Sequence, residues 1–268
     1  MQNPISSDAT PATKVGSSIT FDKIEKHFDD FHALGPISID VKPGEFVSII
    51  GPSGCGKSTC MLIAAGLLQQ TSGSLKIDGK ELDGPQTDIG IVFQDHLLLE
   101  FRKAMSNVML QQQIRHLPKQ ETLEYAQALF GQLGLKGAEN RYPNQLSGGM
   151  RQRVAIARAL VHQPSVLFMD EPFGALDAIT RTQIRHDLEK LWLDRGMTVL
   201  FITHSVDEAI GLSDRVLVMS KTPGQIIEEI PIDLPRPRPF HLGDYPDFAQ
   251  YAHRIYAIFE KLGIYNFK

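Results

Sequence analysis

The sequence predicts an α/β fold in which a mostly parallel sheet, covered on both faces by helices, is interrupted by an inserted helical lobe. Three observations predict it. Apolar runs of strand length recur at Phe46–Ile50, 89–93, 166–169, 198–203 and Arg215–Met219, with helical patterns between several of them. Such uninterrupted apolar runs mark strands buried on both faces, as in parallel sheets. From 95 to about 162 the rhythm breaks, and helical patterns at 111–132 and 149–161 follow one another with no strand between. The chain of 268 residues is 42% apolar and 22% charged, a globular balance with length for one α/β domain plus a lobe.

Taken in chain order, residues 1–18 are polar and rich in Ser, Thr, Ala and Pro. They lack the apolar stretch of a signal peptide and are expected to form a loose tail. Residues 19–94 and 163–221 make up the α/β core, and 95–162 the inserted lobe. Residues 222–268 form a C-terminal strap and helix. Within the strap, a strand-like stretch at 225–232 runs into the low-complexity segment Pro235, Arg236, Pro237, Arg238, Pro239. The last helix carries Phe248, Tyr251, Ile255, Phe259 and Leu262 on one stripe, which is expected to pack on its own domain; a partner contact is the alternative.

Composition narrows the function. A net charge of −4 with no basic cluster argues against nucleic acid as a partner. No run approaches the roughly 20 apolar residues that cross a bilayer. The two cysteines, Cys55 and Cys60, stand too close in sequence to staple the fold, which suits a reducing compartment. Cys55 lies in a glycine-rich loop beside Lys57 and a helix start, so its thiol pKa is expected to be lowered.

Four motifs carry chemistry. Gly51, Pro52, Ser53, Gly54, Cys55, Gly56, Lys57 and Ser58 fit the phosphate-loop pattern, with Phe46–Ile50 leading in and a helix expected at 58–68. The glycines let backbone N–H groups turn around a polyphosphate, and the helix start adds partial positive charge. Lys57 supplies a point charge for the β- and γ-phosphates, and the Ser58 hydroxyl can ligate Mg²⁺. A second apolar strand ends in Asp170 and Glu171. Asp170 is placed to hold the Mg²⁺ shell, and Glu171 to polarise the attacking water. A third ends at His204, at the sheet edge where ligands bind, within reach of a γ-phosphate. Lastly Leu146, Ser147, Gly148 and Gly149 form a polar turn before a helix, a second anion site. One chain with one phosphate loop has no use for two such helix starts. A two-fold dimer, each chain closing the other's nucleotide site, resolves this.

The phosphate loop through Thr59, Gln94 after Ile91-Val-Phe, the Leu146–Gly149 turn, Asp170 with Glu171, Ala175-Leu-Asp177 and His204 stand in the order found in ABC-transporter ATP-binding subunits, which the chain resembles over about 20–220. The resemblance implies a P-loop NTPase core with a mostly parallel sheet, an N-terminal antiparallel β portion and an inserted helical subdomain. It implies ATP and Mg²⁺, with Phe28 stacking on adenine and Gln94 sensing the metal. Ser147, Gly148 and Gly149 would meet the γ-phosphate held by the opposite chain, and Asp177 would link the two sites.

The Asp170–Asp177 stretch, Met150 and the segment from Pro223 to Pro237 resemble importers of the nitrate, sulfonate and taurine group. The implied protein hydrolyses ATP as a homodimer or with a closely related second ATPase subunit. It would sit at the cytoplasmic face of the membrane on permease subunits and serve a solute-binding protein indirectly. The cargo would be a small anion such as nitrate, bicarbonate or a sulfonate. A soluble ATPase such as that of iron–sulfur cluster assembly is the alternative. Leu98, Leu99, Glu100, Phe101 and Arg102 depart from the Leu-Leu-Pro-Trp-Arg usual in relatives, which bears on the partner. Phe101 is the expected apolar anchor for a permease helix.

Overall fold

A computed structural model describes residues 16–241, 243 and 245–264. Residues 1–15 of the expected tail, and Leu242, Asp244 and 265–268 near the end, lie outside the described residues. Gly16, Ser17 and Ser18, which composition assigned to the tail, are bonded into the fold. Gly16 N donates to Gly196 O at 2.8 Å, Thr198 Oγ1 donates to Ser17 O at 2.6 Å, and Ser18 N donates to Asp78 Oδ1 at 2.8 Å.

Two sheets carry the fold. The first is antiparallel, built from β1 (Ile19–Phe28), β2 (Phe31–Val41), β4 (Ser72–Ile77) and β5 (Lys80–Glu81), in the order β2-β1-β4-β5. The second takes β3 (Phe46–Ile50), β6 (Ile89–Val92), β7 (Val166–Asp170), β8 (Thr198–Ile202), β9 (Arg215–Met219) and β10 (Ile226–Pro231), in the order β10-β9-β3-β8-β7-β6. Its ladders are parallel except the last, β9 with β10. β3, β7 and β8 are apolar along almost their whole length because both faces are covered. Val47 and Ile49 face a core shared with the antiparallel sheet and α1 (Lys57–Ala64), while Phe46 packs into the core of the helical lobe.

The lobe holds α2 (Ala104–Val108), α3 (Leu110–Arg115), α4 (Lys119–Gln132) and α5 (Gly148–Leu160). The expected helix at 111–132 is therefore two helices. His116 adopts a left-handed conformation at φ 54°, and Pro118, which has no N–H to donate, separates them. α2 was not anticipated, and its cause is a side chain. Asn107, fully buried, accepts from Leu99 N at 2.8 Å and donates to Leu99 O at 3.1 Å and Arg102 O at 2.9 Å. It fixes the 99–103 loop on which Phe101 stands 75% exposed.

The remaining helices are α6 (Ala178–Arg195), α7 (Val206–Leu212) and α8 (Phe248–Lys261). Ile255 and Phe259 of α8 are buried in a third core with α7, β9 and β10, and Phe248, Tyr251 and Leu262 pack against it. The stripe therefore covers its own domain. Between β10 and α8, the segment from Pro235 to Pro239 is an anchor. Arg236 bridges Glu189 at 2.9 Å and Asp214 at 2.8 Å and lies over the Trp192 ring at 4.2 Å. Arg238 is 1% exposed; its backbone N–H donates to the Glu189 carboxylate and its guanidinium to Ile210 O. Burial and the neighbouring Arg236 push the Arg238 pKa down to about 10. Among the described residues no helix is long and apolar enough to cross a membrane.

Candidate functional site

β3 and α1 are joined by the glycine-rich loop. Glycine is required at two of its positions for reasons of space. A Cβ on Gly51 would lie 2.8 Å from Met219 O, and one on Gly56, whose φ is 101°, would lie 2.4 Å from a Leu34 methyl. The loop therefore closes tightly against β9 and β2. Lys57 reaches back over it, its Nζ donating to Gly51 O at 3.0 Å and Pro52 O at 2.9 Å. Pro52 and Thr59 are half-buried, while Ser53, Gly54 and Ser58 are exposed around that ammonium.

Because β3, β8 and β7 run parallel, they end at the same sheet edge. Asp170, the last residue of β7, lies beside the Ser58 hydroxyl, which favours its charged form. Its Oδ1 is buried with no partner. Burial is the main cause that pushes the Asp170 carboxyl pKa up, and the Glu171 charge adds to it; the Ser58 hydroxyl and Lys57 oppose. Glu171 turns the chain out of the strand at φ 43°, its N–H donating to Ile202 O at 2.9 Å. That turn points its carboxylate to His204, with Oε2 at 3.1 Å from Nδ1. His204 is held from below. Thr203 Oγ1 donates to Glu208 Oε2 at 2.5 Å, and Ser205 caps α7 by accepting from Glu208 N at 3.3 Å. Lys57, Ser58, Asp170, Glu171 and His204 thus form one polar cluster.

A cation fits this cluster. An unpartnered, buried carboxylate oxygen beside a hydroxyl is a costly arrangement on its own, and it is the hard oxygen donor set that Mg²⁺ prefers. Gln94 follows β6 and is exposed.

The second helix start differs. Ser147 caps α5, its Oγ accepting from Met150 N at 3.2 Å. Gly148 is exposed, and a Cβ there would meet nothing within 4 Å. Gly149 is tight, because a Cβ would fall 2.5 Å from Thr180 Cγ2 on the first turn of α6. Asp177 caps that same turn, accepting from Thr180 N at 3.0 Å. Those hydrogen bonds hold its carboxyl below the usual range. The structure therefore joins Gly149 and Asp177, and leaves both on a surface apart from the Lys57 cluster's hydrogen bonds. α5 also grips the segment after Gln94. Arg158 donates to Leu97 O at 2.7 Å and His96 O at 2.9 Å, and Arg151 Nε donates to His96 Nε2 at 2.8 Å.

Phe28 closes β1, 43% exposed, with Lys26 Nζ 4.8 Å from its ring centroid. Cys55 corrects the expectation of a lowered thiol pKa. It is 1% exposed, and burial raises its pKa more than Lys57, at 3.9 Å, lowers it. Cys60, fully buried, is pushed up to about 12.

The family described as ABC transporter matches residues 34–174. An uncharacterized ABC transporter ATP-binding protein of Methanocaldococcus jannaschii is 49% identical over 206 residues, 77% of each chain. A taurine import ATP-binding protein of Escherichia coli is 43% identical over 204 residues, 76% of this chain and 80% of the relative. A bacterial ABC transporter cassette solved as a dimer superposes with a TM-score of 0.73 at 33% identity, covering 81% of this chain and 99% of the cassette.

Proposed function

The chain belongs to the ABC transporter family and is an ATPase, and from that premise we propose that it drives uptake of a small anion, a sulfonate such as taurine foremost, through a membrane permease. The observation that carries the reading is the cluster at the sheet edge, with Glu171 on His204 and Lys57 beside Asp170. The import ATP-binding protein among the relatives supports the direction of transport. It also favours this reading over a soluble iron–sulfur assembly ATPase.

The chemistry follows from the residues. Lys57 now donates to two loop carbonyls, and a triphosphate's β- and γ-oxygens would take their place. Backbone N–H groups of the loop and the start of α1 complete the cradle. Mg²⁺, held by Ser58 and Asp170 with Gln94 at its edge, would neutralise charge on the phosphates. Glu171 orients a water in line with the γ-phosphorus, and His204 fixes the Glu171 carboxylate and reaches the same phosphate. Positioning and charge neutralisation account for the rate, with no covalent intermediate. Phe28 offers a platform for adenine.

Ser147, Gly148 and Gly149 close over the nucleotide of a second copy, or of a closely related subunit, and Asp177 adjoins that seam. Gly148 suits this role because nothing of its own chain covers it. Arg151 and Arg158 then tie α5 to 96–97, so closure at the nucleotide moves the loop that bears Phe101. A permease helix docks there, at the cytoplasmic side of the membrane, and a solute-binding protein delivers the cargo on the far side.

Reconstitution in liposomes with a permease and a solute-binding protein of the sulfonate class tests the reading. ATP inside the assay should drive taurine or alkanesulfonate uptake, and Glu171→Gln should stop it. Uptake of none of the small anions, with ATPase activity intact, would refute the transport reading and leave the enzyme.

A further inference from the structure

A second polar cluster lies on the antiparallel sheet, built from residues the nucleotide chemistry does not use, next to Phe28. Glu25 and His27 stand two residues apart on β1, and their side chains meet. The ladder sets His27 opposite His32 on β2. The two imidazoles stack with centroids 4.0 Å apart and planes 10° from parallel. His27 Nε2 lies 3.8 Å from Glu25 Oε2. One donor atom from each of the three residues falls within 4.8 Å of the others. All three side chains are half-buried, so one side of the cluster remains open to water.

The plain alternative is an ion pair beside a stacked histidine pair. One observation weighs against it. Stacking accounts for the two rings lying together, but His32 Nε2 is buried and has no hydrogen-bond partner, and such orphaned atoms need an explanation. Two imidazole nitrogens and one carboxylate are instead a donor set for a zinc-class divalent cation. Mg²⁺ and Ca²⁺ favour oxygen donors and octahedral or larger shells, so they fit poorly. Bonds of roughly 2.0–2.2 Å require the donors to draw together by about an ångström, and the two imidazoles to turn out of their near-parallel stack so that both in-plane lone pairs meet at the ion; half-exposed rings have room to rotate.

We propose that Glu25, His27 and His32 bind a zinc-class divalent cation, distinct from the Mg²⁺ of the nucleotide site. A bound ion joins β1 to β2 across the turn that follows Phe28.

Titration of Zn²⁺ into the untagged full chain, in excess Mg²⁺, tests this by calorimetry. The wild type should bind one equivalent at micromolar affinity. His32→Gln should weaken binding at least tenfold, and His27→Gln with His32→Gln should abolish it. Metal-free melting temperatures of the variants should match the wild type. Should a variant melt early, the wild type alone decides. One equivalent of Zn²⁺ should protect His27 and His32 from diethylpyrocarbonate, mapped by mass spectrometry. Unchanged binding in the folded double variant, affinity weaker than millimolar, or no protection of these two histidines would overturn the proposal.

Discussion

At the start of α1, Lys57 is drawn back onto the carbonyls of Gly51 and Pro52, and Asp170 waits beside it with an unpartnered oxygen. At the start of α5, Gly148 faces open space and Ser147 bonds only to its own helix. Both are helix N-termini with donors to spare. The first brings the charged groups that chemistry needs; the second brings backbone and no charge. The difference teaches that each is half of a site. A phosphate loop alone leaves one side of its triphosphate in water, and the α5 turn alone has no counter-charge to hold an anion. Two copies arranged head to tail complete both.

The largest expected effect separates these halves. Glu171→Gln keeps the size of the side chain and removes its charge, so ATP should still bind. Hydrolysis should fall by about 10²–10⁴, the usual worth of such assistance. Lys57→Ala should instead weaken binding itself. A phosphate-release assay beside nucleotide-binding measurements reads the split, and equal binding loss in both variants would break the division of roles.

The next effect belongs to stability, in a region that shares none of this chemistry. Glu189 is 3% exposed in its side chain and holds both Arg236 and the Arg238 backbone. Glu189→Ala should cost about 3–5 kcal/mol, because it strands buried charge. Chemical denaturation measures it. ATP hydrolysis should survive in the fraction that stays folded, which distinguishes an anchor from a site.

These two regions also differ in how readable they were. Strands Phe46–Ile50 and Arg215–Met219 end where the apolar runs end, because burial on both faces leaves an unbroken apolar signal. The loop, Asp170 with Glu171, and His204 reach one edge because parallel strands carry nearby sequence ends to the same side. The segment from Pro235 to Pro239 looked like low complexity. Its partners, Glu189 and Asp214, lie tens of residues away, and no local pattern announces them. α2 was hidden for a different reason: Asn107 organises it through bonds to Leu99 and Arg102 in the loop just before it, and no apolar periodicity marks such a short helix. Cys55 was misjudged because sequence shows Lys57 and the helix start but not desolvation, which is the larger influence. The convergence of Glu25, His27 and His32 needs the β1–β2 register.

Smaller effects sharpen the first half-site. Burial raises the Asp170 pKa, so its neutral form suits the fold better than its charge. Its contribution is therefore favourable below the unfolded pKa and is lost as pH rises through the folded one. Near neutral pH the ionised group opposes folding. Asp170→Asn should raise the stability of the nucleotide-free chain by about 1 kcal/mol and cut its stabilisation by Mg·ATP. A melting series with and without Mg·ATP reads both signs. The smallest effect is kinetic. Cys55, buried and with a raised thiol pKa, should react slowly with maleimide, and its rate should keep rising above pH 9. A fast reaction at neutral pH would mean that the loop opens.

The two-halves account is tested most directly by the mass of the Glu171→Gln chain in light scattering, with and without Mg·ATP. It should be monomeric alone and twice that mass with Mg·ATP. Adding Gly148→Val, which the single chain has room for, should restore the monomer while leaving ATP bound. A chain that binds Mg·ATP yet stays monomeric, or a dimer indifferent to Gly148→Val, would contradict the account.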